Sequence, residues 1–264
     1  HIGDLSYARG FGYIWEQFFN IVNPISVHVP YMINMGNHEY DHTEGGENDP
    51  SQAPGEGFHP SWGNYEDDSS GECSVPMYYR YSAPDNGHGI YWYSFDYGNI
   101  HIIMMSTEHN FTVGSDQYNW IENDLKQINR NRTPFVLFGG HRAMYESQTY
   151  IDQWKVGIGL RKSFEDLLFK YQVDVAFWGH YHAYERTCAV YQGKCNPQGT
   201  THIVVGTAGF YLTENPQIPR PWSSAFILDF GYCTISTTRT TMTIQFIHNE
   251  NGSVGDEVIL QSRF

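Results

Sequence analysis

Apolar residues recur along the chain at two different spacings, and each spacing predicts one kind of element. A spacing of three and four residues, which places side chains on one face of a helix, occurs in residues 11–25, 115–129 and 158–171. The apolar face of the second segment consists of Tyr118, Ile121, Leu125 and Ile128. Ser115 stands where the N-cap of that helix is expected, and Pro24 marks the expected end of the first. We therefore predict three helices.

Short apolar runs bounded by Gly, Pro, Asn or Asp predict strands. They occupy residues 29–35, 78–81, 90–97, 99–106, 134–138, 173–178 and 201–206. Gly98 predicts a hairpin turn between two of them, and the alternation of Met242, Ile244 and Phe246 is typical of antiparallel strands. Strands separated by helices, followed by strands alone, predict a layered α/β domain completed by antiparallel strands.

Length and charge bound the class of protein. With 264 residues the chain is long enough for a large core, and we expect a single domain over residues 1–264. The formal net charge of −14 argues against nucleic acid or an anionic membrane surface as the main partner. A phosphate-bearing substrate fits this charge only if metal cations supply local positive charge.

Polar side chains follow several of the predicted strands directly. In open α/β folds, functional sites gather at the carboxyl ends of the strands. His180 and His182, two positions apart after the strand at 173–178, project to the same side if the backbone stays extended. A glycine stands next to most of these positions and permits close approach of the backbone. The whole set is Asp4, Tyr7, Asn37, His38, His141, His180 and His182.

This set of donors predicts a metal site. A structural zinc site would be rich in Cys, whereas a carboxylate, a phenol, a carboxamide and several imidazoles suit borderline to hard metals. The carboxylate of Asp4 is able to bridge two ions at the separation of about 3.5–4 Å that two-metal hydrolysis uses.

Four segments, in this order, resemble the motifs of the purple acid phosphatases, which belong to the calcineurin-like metallophosphoesterases. They are Gly-Asp-Leu-Ser-Tyr-Ala (3–8), Gly-Asn-His-Glu (36–39), Gly-Gly-His-Arg-Ala-Met-Tyr (139–145) and Gly-His-Tyr-His-Ala-Tyr-Glu-Arg (179–186). The Asp-x-x-Tyr element separates this family from most of its superfamily. The resemblance is to the large, plant-type form, and it implies an α/β four-layer sandwich of two mixed β-sheets flanked by helices.

The resemblance also implies a dinuclear metal centre. Asp4 is expected to bridge the two ions, and Tyr7 and His182 are expected to bind a ferric ion. The expected ligands of a divalent zinc, manganese or iron ion are Asn37, His141 and His180. His38 is expected to donate a hydrogen bond to the phosphate of the substrate.

Two features depart from the family pattern. The family takes a further Asp ligand from a strand that would precede His1, and its larger plant members carry an N-terminal β-sandwich domain, so we expect this chain to lack both. Plant enzymes often place a His-His pair nine and ten residues after the position of His141, where this chain has Tyr150 and Ile151. The leaving-group acid therefore stays open. His109 and Glu39 are candidates, although His109 is expected to be a surface side chain.

The implied activity is hydrolysis of phosphate monoesters at acidic pH, with metal-bound hydroxide as the nucleophile and a phosphorylated small molecule as the substrate. Two alternatives stay open. One is a phosphodiesterase or nucleotide pyrophosphatase, which the missing His-His pair favours. The other is a non-catalytic extracellular protein that binds metal or phosphate. Neither nucleic acid nor a membrane is expected as a partner, and the oligomeric state is not predicted.

Cysteines and glycosylation triplets bear on the compartment. Cys188 and Cys195 flank a short turn and are expected to close a disulfide loop. Asn110, Asn131 and Asn251 each begin an Asn-x-Ser/Thr triplet. Together these features predict a secreted or vacuolar/lysosomal glycoprotein.

Overall fold

A mixed eight-stranded sheet is the frame of the fold. The computed structural model describes residues 1–40, 46–52, 58–61, 68–148, 154–214 and 217–264. The strands of the large sheet are β1 (Tyr93–Tyr97), β2 (Ile100–Met104), β3 (Phe135–Gly139), β4 (Val175–Trp178), β5 (Tyr184–Tyr191), β6 (Lys194–Cys195), β7 (Thr200–Val205) and β8 (Ser223–Ile227). They lie in the order β1-β2-β3-β4-β7-β5-β6, and β8 also pairs with β5.

The centre of this sheet is parallel. Strands β2, β3, β4 and β7 run in one direction, and β1 and β5 pair with them antiparallel. Both β3 and β4 are buried along their whole length, which explains why their sequences are continuous apolar runs rather than alternating ones. Parallel strands end at the same edge of the sheet, so the residues after β3 and β4 are brought close together.

The two faces of the large sheet pack against different partners. Along β3, Val136 and Phe138 face a core cluster shared with the helices, whereas Phe135 and Leu137 face a cluster shared with the second sheet. A third cluster surrounds Trp15 of the first helix. The helices are α1 (Gly12–Ser26), α2 (Val75–Arg80), α3 (Asp116–Gln127), α4 (Trp154–Leu160) and α5 (Asp166–Lys170), with a 3-10 turn at Gly46–Asn48 and a π-helical turn at Arg161–Glu165.

The second sheet has three strands, β9 (Gly231–Thr237), β10 (Thr241–His248) and β11 (Val254–Gln261). All its pairings are antiparallel, as the alternating pattern of the tail predicts. The α/β class and the arrangement of two sheets with helices are confirmed. Only the large sheet is mixed.

Two predicted strands are wrong. Residues 29–35 form no regular strand, because their main chain is bonded elsewhere: the Asn34 amide donates to the His1 carbonyl (2.8 Å), and Ile33 bonds the Tyr93 hydroxyl through both of its main-chain groups. Residues 78–81 lie mostly in helix α2, which begins with Pro76 in its first turn and buries Met77. Here tertiary packing overrides the strand preference of the tyrosines.

The sequence analysis missed β5 and β8, which extend the large sheet beyond the His-x-His loop. Among the described residues, no helix combines the length and the apolar character needed to cross a bilayer.

Candidate metal centre

The loops after the central strands carry two of the predicted histidines to one place. His141 follows β3 by two residues, and His180 follows β4 by two residues. The first residues of the chain reach the same edge, since His141 Nδ1 contacts the Ile2 carbonyl oxygen at 2.7 Å. The sheet therefore assembles residues that are far apart in the sequence.

Three of the predicted ligands sit in left-handed backbone. The φ angles of Asp4, Tyr7 and His180 are 51°, 53° and 68°. Non-glycine residues rarely adopt such values, and they persist where the surroundings over-determine them. The clustering of three such residues in one place indicates a functional site.

Two glycines allow the loops to meet. A Cβ atom added at Gly3, whose φ is +76°, would lie 2.6 Å from His141 Nδ1. One added at Gly36 would collide with the side chain and main chain of Asp4. Because any larger residue would push these segments apart, the glycines beside the predicted ligands are needed for the close approach.

Asp4 lies in the middle of the cluster. Its Oδ2 atom is 3.2 Å from the Tyr7 hydroxyl on one side and 3.1 Å from His141 Nε2 on the other. Its Oδ1 atom accepts a hydrogen bond from the main-chain amide of His38 at 3.1 Å. The carboxylate thus contacts groups on both sides of the site.

The remaining ligands form two groups around Asp4. On one side, Asn37 Oδ1 lies 2.9 Å from both His141 Nε2 and His180 Nδ1. On the other side, the Tyr7 hydroxyl lies 3.1 Å from His182 Nε2. Every predicted metal ligand therefore contacts another predicted ligand.

His38 stands beside the ligands. Its ring centroid is 4.2 Å from that of Tyr7, and its Nδ1 atom is 3.1 Å from the main-chain oxygen of Asp68. Asp68 also accepts a hydrogen bond from Asn37 Nδ2 through its carboxylate, at 2.8 Å. The sequence analysis missed Asp68. It lies in the acidic stretch after the second motif, where no period or motif singles out one carboxylate.

Neither candidate for the leaving-group acid is placed for that role. The Glu39 carboxylate is buried and accepts hydrogen bonds from three main-chain amides, those of Asp4 (2.8 Å), Leu5 (2.7 Å) and Gly36 (3.1 Å). It holds the first two motifs together. The other candidate, His109, is not on the surface as expected but is 3% exposed. Its contacts include Ser106, Tyr40, Tyr91 and Trp92.

Buried charge also shapes the site. Burial alone would raise the pKa of Asp4, but the adjacent His141, His38 and His180 hold it well below its usual value. Burial, and then the charge of Asp4, raises the pKa of Glu39. Burial, together with the nearby Arg142 guanidinium, lowers the pKa of His180. Asp4 is thus the anion of the site and His180 a neutral imidazole, the form that binds a metal.

An ion pair lies behind His141. The guanidinium of the next residue, Arg142, is 2% exposed and donates to both oxygens of the fully buried Glu108, at 2.8 and 3.2 Å. The Arg142 amide also donates to Thr107 Oγ1 at 3.1 Å. A buried pair with two hydrogen bonds fixes the direction of the chain at His141.

Five of the predicted ligands, Asp4, Tyr7, His141, His180 and His182, line one cavity of about 680 Å³, a size suited to a small-molecule ligand. Phe210 also lines this cavity, is 53% exposed, and stacks on Tyr7 with ring centroids 4.0 Å apart.

The predicted modification sites lie away from this cavity. The sulfurs of Cys188 and Cys195 are bonded, so the predicted disulfide is present. Asn110, Asn131 and Asn251 are all exposed, which is compatible with glycosylation. The predicted departures at Tyr150 and Ile151 lie outside the described residues.

The residues present fit a metal ion. Asp4, His141 and His180 each offer a ligand atom, and these atoms lie within 4.8 Å of one another. His141 turns Nδ1 outward to a carbonyl, which leaves Nε2 pointing at Asn37 and Asp4. Such an outer hydrogen bond is typical of metal-binding histidines.

Comparison with known proteins agrees with this geometry. A family model described as calcineurin-like phosphoesterase matches residues 1–184, and one described as iron/zinc purple acid phosphatase-like protein C matches residues 199–257. The chain is 35% identical to "Probable inactive purple acid phosphatase 9" of Arabidopsis thaliana, over 98% of this chain and 42% of that protein. It is 33% identical to a nucleotide pyrophosphatase/phosphodiesterase of Hordeum vulgare, over 97% of this chain and 69% of that protein.

Among solved structures, a purple acid phosphatase isolated from yellow lupin (Lupinus luteus) seeds matches with a TM-score of 0.83 and 32% identity. The match covers 99% of this chain and 46% of the lupin chain, so this chain spans less than half the length of the Arabidopsis and lupin proteins. The chain belongs to the calcineurin-like phosphoesterases and, within them, to the purple acid phosphatases.

Proposed function

We propose that the chain hydrolyses phosphate monoesters at a dinuclear metal centre. The observation that carries the proposal is the position of Asp4, whose Oδ2 atom contacts Tyr7 on one side and His141 on the other. A carboxylate between two groups of neutral or phenolic donors can bridge two adjacent cations.

The two groups of donors differ in chemistry, and we assign them to different ions. Tyr7 and His182 would hold Fe(III), since a phenolate is a hard anionic ligand. The ligands of a divalent zinc, manganese or iron ion would be Asn37, His141 and His180. When bound, the two ions neutralise phosphate oxygens and lower the pKa of a water molecule.

The protein's own residues would then position the substrate. His38, which contacts Asp4 and Tyr7, would donate a hydrogen bond to the phosphate and stabilise charge on the transferring group. The Glu39 carboxylate and the Arg142–Glu108 pair hold the loops in register.

A second candidate is hydrolysis of phosphodiesters or nucleotide pyrophosphates. Tyr150 and Ile151 stand where plant monoesterases often have a His-His pair, and the barley relative is named for the diester and pyrophosphate activity. A third candidate is a non-catalytic protein, since the Arabidopsis relative is named "probable inactive".

One experiment separates the three candidates. The purified protein is loaded with Fe(III) and Zn²⁺ and assayed at pH 5 with a monoester, a diester and a nucleotide diphosphate. We expect the monoester to have the highest kcat/KM. A preference for either of the other substrates would move the assignment to the second candidate. Absence of turnover with all three, in a protein that carries two metal ions, would establish the third.

We further propose that the protein enters the secretory route, as a secreted or vacuolar/lysosomal glycoprotein. The exposed Asn110, Asn131 and Asn251 and the disulfide of Cys188 and Cys195 support this. Treatment of the protein from its natural source with a glycosidase should lower its apparent mass. If the mass did not change and Cys188 and Cys195 were found as free thiols in that protein, the proposed secretory route would be wrong.

A further inference from the structure

We propose that Asp68 is a positioning residue that fixes the orientation of the Asn37 amide and the hydrogen of the His38 ring. The inference rests on the proposed function, because it takes the Asn37 oxygen as a metal ligand. It adds a residue from a part of the chain that carries no family motif.

An amide side chain has two ends that differ chemically but hardly in shape. Its oxygen can bind a cation, and its NH₂ group cannot. Asn37 Nδ2 donates to the Asp68 carboxylate at 2.8 Å, while Oδ1 points to His141 and His180. A carboxylate accepts hydrogen bonds and does not donate them, so Asp68 selects the orientation in which the amide oxygen faces the metal site.

The same residue acts on His38 through its main chain. A carbonyl oxygen only accepts hydrogen bonds, so the 3.1 Å contact between His38 Nδ1 and the Asp68 oxygen assigns the ring hydrogen to Nδ1. Nε2 is left for a further partner, and it donates to a phosphate when the ring is an imidazolium that carries a hydrogen on both nitrogens. One residue therefore sets the orientation of two neighbouring side chains, Asn37 and His38.

The segment that carries Asp68 is held firmly. Ser70, Cys73 and Ser74 all have left-handed φ angles, of 53°, 42° and 63°. Three non-glycine residues in this conformation within five positions would not persist without compensating contacts. The segment therefore has a conformation imposed by its neighbours rather than by its own preference.

Those contacts are made by Glu72, in the middle of the strained stretch, and by Ser74 at its end. Glu72 accepts hydrogen bonds from the Gly10 amide (2.9 Å) and from the Trp15 indole with both oxygens. The Ser74 amide donates to the Glu39 carbonyl at 2.7 Å. The segment is thus tied to helix α1 and to the Asn37–Glu39 motif that it positions.

The test compares Asp68→Ala and Asp68→Asn with Asp49→Ala as the matched control. The Asp49 carboxylate comes from the same acidic stretch, but it accepts hydrogen bonds from the Tyr40 hydroxyl and from the amide and hydroxyl of Ser51, none of which is a predicted ligand. Zn²⁺ is titrated calorimetrically into each metal-free protein, and thermal unfolding without metal checks that each variant folds.

We expect Asp68→Ala to weaken Zn²⁺ binding about 10- to 100-fold, the range typical of partners that orient a metal ligand. Asp68→Asn should recover part of this loss, because its amide oxygen still accepts from Asn37. Asp49→Ala should bind within about threefold of the parent. A folded Asp68→Ala protein that binds Zn²⁺ as tightly as the parent would overturn the proposal.

A second readout keeps this inference separate from the proposed function. In the metal-free protein, the side-chain NH₂ resonances of Asn37 should show a hydrogen-bonded shift that disappears in Asp68→Ala and survives in Asp49→Ala. If the parent bound no Zn²⁺, the proposed function would fail, and the NMR result alone would decide the role of Asp68. Unchanged Asn37 resonances in Asp68→Ala would refute that role.

Discussion

The two sides of the metal centre are built differently. We call Asn37, His141 and His180 the amide half. His141 and His180 follow the central strands β3 and β4, and Asn37 lies in the second motif, where Glu39 accepts hydrogen bonds from three main-chain amides. Asn37 and His141 are 4% and 1% exposed. Tyr7 and His182, the tyrosine half, instead pack against two aromatic residues, Phe210 and Tyr211, each more than half exposed.

This difference predicts which half keeps its geometry when no metal ion is bound. Regular strands and buried hydrogen bonds hold the amide half, so it should keep its arrangement with or without a metal ion. In the tyrosine half the amide of His182 donates to Thr213 Oγ1 at 2.9 Å, but the rings of Tyr7 and His182 pack against the exposed rings of Phe210 and Tyr211. We therefore expect this half to respond more to solvent and to the ion bound.

The largest effect is expected in the amide half. His180→Ala or Asn37→Ala should lower turnover by more than about 100-fold, because stabilisation by a metal ion is worth several kcal/mol. Steady-state kinetics on metal-loaded protein measures this. His248→Ala, which removes a histidine paired with Asp229 in another part of the fold, is the control and should stay near the parent. Parental rates in both His180→Ala and Asn37→Ala would remove the amide half from the mechanism.

The tyrosine half is tested by colour. Tyr7→Phe should abolish the visible absorption band of the iron-loaded protein and lower its iron content, because the phenolate oxygen is gone while the ring packing stays. The control is Tyr211→Phe, which removes the hydroxyl from a ring that packs on His182 and should keep the band. Zinc content should hardly change. A preparation of Tyr7→Phe that kept its band would mean that Tyr7 is not the chromophoric ligand.

A third prediction concerns the stability of the fold rather than the chemistry of the candidate site. His202 on β7 is buried and accepts a hydrogen bond from Trp178 Nε1 at 3.0 Å. Burial, with Arg161 adding to it, lowers the pKa of His202 from 6.5 to about 3. The unfolded chain therefore takes up this proton at a higher pH than the folded protein does. The stability tied to neutral His202 is fully present above pH 6.5 and is lost as the pH falls toward 3.

His202→Gln keeps a hydrogen-bond acceptor for Trp178 but does not titrate. The loss of unfolding free energy between pH 7 and pH 4 should be smaller in this variant by an amount on the order of a few kcal/mol. Urea unfolding at the two pH values measures it. An identical loss of unfolding free energy in parent and variant would mean that His202 does not cause the acid sensitivity.

The smallest effect is expected for the exposed ring over the tyrosine half. Phe210→Ala removes one stacked pair, worth about 0.5–1.5 kcal/mol, so turnover should fall by no more than about tenfold. The visible band should remain, because Tyr7 keeps its hydroxyl. If Phe210→Ala lost the band as completely as Tyr7→Phe, then packing and not ligation would hold the ion.

The amide half was the more predictable of the two. Buried parallel strands have continuous apolar sequences, and the polar residues that directly follow them lie at one edge of the sheet. Helix α3 was equally clear, since Ser115 caps it by accepting from the Tyr118 amide at 3.2 Å. The motifs then supplied the identities of the ligands through the family resemblance, and the structure brings all of them into contact.

Other features could not be predicted from the local sequence. Asp68 is 31 residues from Asn37, in a stretch whose several carboxylates look alike until the fold selects one. His109 lies next to a glycosylation triplet and reads as a surface residue, yet three aromatic rings bury it. Residues 78–81 have strand propensity but form a helix because Met77 is taken into the core. In each case a contact with residues far away in the sequence determines the structure, and the local sequence pattern does not predict that contact.

The central claim is that Asp4 lies between two metal ions. Crystals of the protein loaded with Fe(III) and Zn²⁺, measured at the absorption edges of both metals, test it directly. We predict two anomalous peaks about 3.5–4 Å apart, with the Asp4 carboxylate bound to both. The iron peak should lie beside Tyr7 and the zinc peak beside Asn37. A single peak, or two peaks that do not share Asp4, would contradict the account.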